Sequence, residues 1–167
     1  MRAFDENMDR PTAEKNRTSL FLVKKPRRTH VHLDPTAFQA DPELVMALET
    51  HATAIDCDAD HVLFRQGDPP IGVYILQKGD ATISMNPGDE GVIFSCKATA
   101  GAILGLPGLI ANQPYSLSAY ANSGSQVGFV TRRDFETLMQ SERPLLLFVL
   151  QVLAAEVRSA RLAITQL

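Results

Sequence analysis

The sequence predicts a mainly β protein of the α+β class, an antiparallel β-roll or jelly roll (a double-stranded β-helix) with helices at both ends. Short stretches of alternating apolar and polar residues, separated by turn residues, occupy about residues 57–131 and are typical of this architecture. Apolar residues at three- and four-residue spacing on either side predict one helix before the roll and two after it. With 167 residues, 45% of them hydrophobic, the chain is long enough for one domain with a core.

The amino-terminal part differs in charge from the rest. Residues 1–30 hold eight basic and four acidic side chains, a net charge of +4, which leaves −7 on the other 137 residues. We therefore assign residues 1–38 to a basic arm and residues 39–167 to the domain. We interpret the arm as a solvated segment lying on the acidic body. The alternative is a nucleic-acid contact made by the arm alone, because the acidic body would repel phosphate. The apolar stretch Leu20–Val23 predicts a single strand or turn docked on the body.

Targeting and membrane segments are not expected. The longest apolar run, Leu145–Leu150, has six residues, whereas a membrane-spanning helix needs about 20. Acidic residues occupy the amino terminus where a secretory signal has an apolar block. The sequence therefore predicts a cytoplasmic protein that does not bind membranes.

The first helix is predicted to begin at Asp41. An aspartate is a favoured N-cap, and Pro42 in the first turn and Glu43 after it suit a helix start. Leu44 and Leu48 then recur at helical spacing, which indicates an amphipathic helix with one buried face.

The roll is predicted from strands that alternate cleanly. In Ala81–Met85 every second residue is apolar, and Val92–Cys96 and Leu117–Ala121 repeat the pattern. Turn sequences rich in glycine, proline and asparagine separate these strands, since glycine readily adopts a positive φ. Cys96 falls on the apolar side of its strand and is expected in the core.

Two helices are predicted to close the chain. Thr131 precedes a short helix with Phe135 and Leu138 inward, and a long helix follows over residues 145–167. The long helix carries a stripe at alternating four- and three-residue spacing, formed by Leu146, Leu150, Leu153, Val157, Ala160 and Ile164, and ending with Leu167. This stripe predicts a homodimer seam, with packing on the chain's own roll as the alternative. Beyond Val152 the stripe narrows, and the rest of the helix is occupied by Glu156, Arg158, Ser159 and Arg161.

Three blocks in this order resemble the cyclic-nucleotide-binding domain of the catabolite-activator and protein kinase A regulatory families. HVLFRQGDPPIGVYILQKGDATI (61–83) resembles the start of the roll, including the glycines at 67 and 79. AGAILGLPGLIANQPYSLSAYA (100–121) occupies the place of the phosphate-binding cassette, and RRDFETLMQSERPLLLFVLQVLAAEVRSAR matches the terminal helix pair. The resemblance covers about residues 40–167 and implies a regulatory function.

The cassette lacks the charged anchors that the resemblance implies. In the family a glutamate accepts a hydrogen bond from the ribose hydroxyl and an arginine pairs with the phosphate. Here Leu106 stands in place of the glutamate and Tyr115 in place of the arginine, while Pro107 removes a backbone donor. The matching positions, our candidate ligand pocket, are Gly105, Leu106, Pro107, Gly108, Leu109, Pro114, Tyr115 and Ser116.

Losing both anchors is expected to weaken cyclic AMP or cyclic GMP binding roughly 10³-fold, since a hydrogen bond to a charged group contributes about 1.5–3 kcal/mol. The sequence therefore predicts a non-enzymatic regulatory or interaction module with a collapsed or unliganded pocket and no cofactor. A modified pocket that binds a different small effector, or a cyclic nucleotide, is the alternative. Nothing follows the dimer helix, so we expect no DNA-binding domain. The output is then expected to pass through a partner protein, through the basic arm or through dimerisation itself.

Catalytic and metal chemistry is not predicted. His30 and His32 form an H-x-H pair, but the further ligands of a cupin-like metal enzyme, the remaining alternative, are missing at the needed spacing. Asp56, Asp58 and Asp60 resemble a calcium loop without its glycine and closing glutamate. We assign no catalytic residue and no metal ligand.

Overall fold

The computed structural model describes residues 27–88 and 91–167. The described residues form nine strands and four α-helices. The strands are β1 Thr29–His32, β2 Thr53–Cys57, β3 His61–Phe64, β4 Gly72–Lys78, β5 Asp80–Met85, β6 Val92–Thr99, β7 Ile103–Leu104, β8 Ser118–Ala121 and β9 Ser125–Thr131. The helices are α1 Pro42–Glu49, α2 Leu106–Ala111, α3 Arg132–Ser141 and α4 Leu145–Ile164, with a short 3₁₀ helix at Pro35–Phe38.

The strands form two sheets that face each other, as the sequence predicts for a roll. One sheet has the order β1-β6-β5-β8-β3 and the other β2-β9-β4-β7. All strand pairs are antiparallel except the pair of β1 with β6. In the β5–β6 pair, Ala81 lies opposite Ala98 and Ile83 lies opposite Cys96. Ala81 and Ile83 are fully buried, which agrees with the alternation read from the sequence.

Strand β1 pairs with β6 in parallel, with Thr29 opposite Val92 and His32 opposite Ser95. Residues 29–38, which we had assigned to the basic arm, thus contribute a strand and the 3₁₀ helix to the packed fold. Val31 is buried against Phe94 and Ala163, and this burial explains why the segment adds to the sheet. The apolar stretch at 20–23 and the first 26 residues of the basic arm lie outside the described residues.

The helices begin where the sequence predicts caps. The carboxylate of Asp41 accepts a hydrogen bond from the backbone N–H of Glu43 at 2.9 Å, and the hydroxyl of Thr131 accepts one from Asp134 at 3.1 Å. Leu44 and Leu48 of α1 are fully buried, and Phe135 and Leu138 of α3 are buried, as predicted. Within the described residues no helix has the length and apolar character needed to span a membrane.

The core consists of two main clusters on either side of the β4–β9 sheet. Cluster A lies inside the roll and includes Phe64, Tyr74, Leu76, Ile83 and Tyr115. Cluster B lies under the helices and includes Leu44, Ile75, Leu106, Val130 and Val149. Helix α2 packs into cluster B through Leu106 and Leu109. Its Pro107 and Gly108 line a hollow next to Phe64 and Tyr115 of cluster A.

Candidate functional site

The cassette helix α2 begins at a left-handed glycine. Gly105 has φ 91°, a conformation that glycine adopts without strain, and it directly follows the two-residue strand β7. Pro107 lies in the first turn, and Asn112 ends the helix with φ 52°. This geometry places a one-and-a-half-turn helix between the roll and α4.

Tyr115 fills the space beside this helix. Its side chain is only 3% exposed, and its ring stacks on Phe64 with centroids 4.2 Å apart. The hydroxyl donates to the carbonyl of Gly72 at 2.7 Å and accepts from the backbone N–H groups of Ile71 at 3.1 Å and Gly72 at 3.3 Å. Tyr115, at the position where the resemblance implies an arginine, is therefore held by the protein's own backbone.

Little space remains in the hollow around Tyr115. Its volume is about 10 Å³, which is at most one water molecule. The lining residues are Phe38, Phe64, Gly105, Pro107, Gly108, Tyr115, Ser116, Leu117 and Glu156. None of these is basic, so the lining supplies no positive charge for a phosphate.

Glu156 of α4 is the one acidic side chain of that lining. Sequence analysis places it, with Arg158, Ser159 and Arg161, outside the apolar stripe. Arg158 and Arg161 are exposed, whereas Glu156 and Ser159 lie on the side of the helix that packs on the fold. Both residues follow the buried Val149 and Val152 at three- and four-residue spacing, and Ser159 is buried. Burial raises the pKa of the Glu156 carboxyl to about 8, because the charged form loses its hydration.

Arg132, at the start of α3, is a functional candidate that sequence analysis did not identify. Its guanidinium donates to the carbonyls of Leu109 at 3.1 Å and Pro70 at 3.0 Å and lies 3.7 Å from the carboxylate of Glu136. It thereby ties the end of α2 to the loop before β4. It also lines an open surface groove of about 820 Å³ between α2 and α3, on a different side of α2 from the hollow. In the sequence, Arg132 is only a basic residue directly after the cap Thr131, and nothing there indicates its contacts with Leu109 and Pro70.

The candidate ligand-pocket residues have three different surroundings in the structure: the hollow, cluster B and the exposed surface. Gly105, Pro107, Gly108, Tyr115 and Ser116 line the hollow together. Leu106 is fully buried in cluster B, and Leu109 belongs to the same cluster. Pro114 is exposed. Leu106 and Tyr115, at the two positions where the resemblance implies charged anchors, therefore have different surroundings.

The stripe predicted as a dimer seam is largely exposed on the single chain. Leu150 is 59% exposed and Val157 50%, and Leu146 and Ile164 are exposed as well. Leu153 and Ala160 are partly buried. The opposite side of α4, with Leu145, Val149, Val152 and Ala163, is buried against the chain's own fold.

The residues considered for metal binding or redox chemistry lie apart from the hollow. His30 and His32 are exposed on β1, and among the described residues no group of three or more histidine, cysteine or acidic side chains could hold a metal ion. Cys57 is buried, and Cys96, expected in the core, is partly buried between cluster A and the β1–β6 contact. Burial, with smaller contributions from Asp34 and Glu156, raises the pKa of the Cys96 thiol to about 11.

The family model of the cyclic nucleotide-binding domain matches residues 55–142. Among solved structures, the chain is similar to the catabolite activator protein of Thermus thermophilus (TM-score 0.63, 20% identity, 80% of this chain and 62% of that chain). It is also similar to the c-di-GMP-responsive global regulator CLP of Xanthomonas campestris (0.57, 17%, 72% and 63%). A third similar structure is the sensor domain of the transcriptional regulator DNR from Pseudomonas aeruginosa (0.53, 20%, 71% and 78%).

These structural similarities show a shared fold, since all three sequence identities are low. The chain spans less than two thirds of the length of the catabolite activator protein and of CLP. The sequence comparison with curated proteins gave no significant match.

Proposed function

Because the chain belongs to the cyclic nucleotide-binding domain family, we propose that it is a non-enzymatic regulatory module whose cassette is closed by its own side chains. The observation that carries this proposal is the position of Tyr115. Its hydroxyl is bonded to the backbone of Ile71 and Gly72, and its ring occupies the space beside Gly105. A ligand would have to displace this side chain and break those hydrogen bonds.

Electrostatics adds to the steric argument. A cyclic nucleotide brings a negative phosphate, and a buried anion needs donors or a positive partner to offset its desolvation. The hollow offers the carboxyl of Glu156 and no basic side chain. Arg132 is near α2, but its guanidinium is already bonded to two backbone carbonyls and paired with Glu136. Binding of a cyclic nucleotide is thus disfavoured both by the small volume of the hollow and by the absence of a basic side chain from its lining.

Calorimetric titration with cyclic AMP and cyclic GMP is expected to give no saturable binding up to about 1 mM, which corresponds to a binding free energy weaker than about −4 kcal/mol. Tyr115→Phe is the matched variant, because it keeps the ring in the hollow and should likewise not bind. A micromolar dissociation constant for either nucleotide in the unmodified protein would contradict the proposal. It would instead favour an effector site opened by movement of Tyr115.

We also propose that α4 forms a homodimer seam in the cytoplasm and that a partner protein reads the assembled state. Exposed leucine, valine and isoleucine side chains along one side of α4 support this, because a stripe of apolar residues at heptad-like spacing gains stability when a second helix covers it. The opposite face is already occupied by the roll and α1, so the stripe is free to meet another copy.

Leu150→Asp is expected to convert the dimer to monomers of 18.3 kDa, because two carboxylates would face each other in the seam. Sedimentation equilibrium measures the mass directly. Leu147→Asp is the control, since Leu147 lies on the same helix outside the stripe and is also 59% exposed. If the unmodified protein has the monomer mass, or if both variants remain dimeric, the seam is not the interface.

A further inference from the structure

Glu156 is a partly buried acid with a buried carboxyl oxygen, and the proposed function does not use its titration. It projects from α4 into the hollow, and its Oε1 has no hydrogen-bond partner among the described residues. A buried polar atom without a partner is costly, and a charged one more so. The hollow beside it, at about 10 Å³, has no room for the several waters that hydrate a carboxylate.

No basic side chain among the described residues offsets this acid. The ion pairs in this part of the chain join Lys97 to Asp80 and Arg132 to Glu136. On its own helix, Arg158 and Arg161 are exposed and line a groove with Leu150 and Val157, on the seam side.

The elements packed against α4 bring few titratable groups towards Glu156. Strand β6 contributes the Cys96 thiol, whose pKa is raised by burial and by both Asp34 and Glu156. Tyr115, before β8, lines the same hollow, but its hydroxyl is bonded to Ile71 and Gly72. Helix α2 contains no titratable residue, and the buried residues of α1 are Leu44 and Leu48. The neighbours are thus neutral, apart from one further acid.

We propose that Glu156 is a proton-binding site that couples the packing of α4 to pH. With the proton bound, the neutral carboxyl fits the hollow and α4 closes against α2 and the 3₁₀ helix. When the proton leaves, the carboxylate needs water that the closed hollow does not hold, so α4 loosens and the hollow opens. The inference goes beyond the proposed function and depends neither on nucleotide binding nor on the dimer.

The direction of the pH effect follows from burial. The pKa of Glu156 rises from its ordinary 4.5 to about 8 in the folded chain. Between pH 4.5 and about 8, the folded state therefore keeps a proton on Glu156 that the unfolded state has released. The stability that this group contributes is complete below about pH 4.5 and is lost progressively as the pH rises to about 8.

The test compares Glu156→Gln with the unmodified full chain by denaturant unfolding between pH 5 and 9. In the unmodified protein the unfolding equilibrium constant, relative to that of the variant, is expected to rise by about tenfold per pH unit up to about pH 8. Glu142→Gln is the control, because Glu142 is an exposed acid at the end of α3 and should follow the unmodified protein. Identical pH profiles for Glu156→Gln and the unmodified protein would overturn the proposal.

Two measurements on the unmodified protein make the test independent of whether the variant folds. A carbon-13 titration of the Glu156 carboxyl is expected to give a pKa near 8, and a value near 4.5 would show that a partner or water reaches it. Amide exchange in α2 and α4, corrected for intrinsic rates, is expected to lose protection between pH 6 and 9. A carboxyl that titrates near 8 with unchanged protection of both helices would refute the coupling.

Discussion

Tyr115→Ala is expected to lower the free energy of unfolding by about 4 kcal/mol, in the range of large aromatic truncations in cores. The change removes a ring that is stacked on Phe64 and leaves a cavity next to Gly105. It also leaves the carbonyl of Gly72 without the hydroxyl that donates to it at 2.7 Å. Urea or guanidinium unfolding of the full chain measures the difference directly.

Two matched variants separate the ring from the hydroxyl. Tyr115→Phe keeps the ring and loses only the hydroxyl, so a loss of about 1–3 kcal/mol is expected from the backbone groups it leaves unpaired. Tyr120→Ala removes a tyrosine that is only partly buried on β8, and the loss should be smaller than for Tyr115→Ala. If Tyr115→Ala costs no more than Tyr120→Ala, the tyrosine does not hold the cassette closed.

Leu106→Glu, which introduces an acidic side chain at the start of α2, is expected to destabilise the chain by about 4 kcal/mol or more at neutral pH. Leu106 is 0% exposed in cluster B, among Leu44, Leu48 and Val73. A carboxylate there would be desolvated without a basic partner, and a pKa shift of three units corresponds to about 4 kcal/mol. Thermal and denaturant unfolding at pH 7 provide the measurement.

The control for this variant is Leu106→Met, which conserves volume and polarity and should cost less than about 1.5 kcal/mol. The penalty of Leu106→Glu should also decrease at acidic pH, because the buried carboxyl becomes neutral below its raised pKa. A variant as stable as the methionine control at pH 7, or one that gains cyclic-nucleotide binding, would show that this side chain reaches the hollow. The account of a closed cassette would then be wrong.

Much of the fold was predictable because it depends on residues close together in the chain. The caps Asp41 and Thr131, the alternation in Ala81–Met85 and the apolar spacing of α1 and α3 all act over a few residues. Strand β1 was missed, because its pairing with β6 is parallel and joins segments about 60 residues apart. A four-residue strand with one buried side chain, Val31, gives almost no alternation to detect.

The cassette could be located from the sequence but its interior could not. Leu106 and Tyr115 were both identified as replacements of charged residues, yet one lies in cluster B and the other in the hollow. The direction of each side chain depends on the left-handed turn at Gly105 and on how α2 packs between the roll and α4. The burial of the Oε1 of Glu156 was not predicted for a related cause, since residue type alone favours solvent for an acid.

Residue identities alone were sufficient for the fold family and for the order of its elements, since these are properties of local pattern. The absence of an acid and a guanidinium from the cassette stays a prediction from the resemblance. The small volume of the hollow, the tyrosine bonded to Gly72 and the buried carboxyl oxygen of Glu156 became visible when distant segments were brought together. Volume, hydrogen bonding and desolvation are set by contacts between such segments, so no local pattern encodes them.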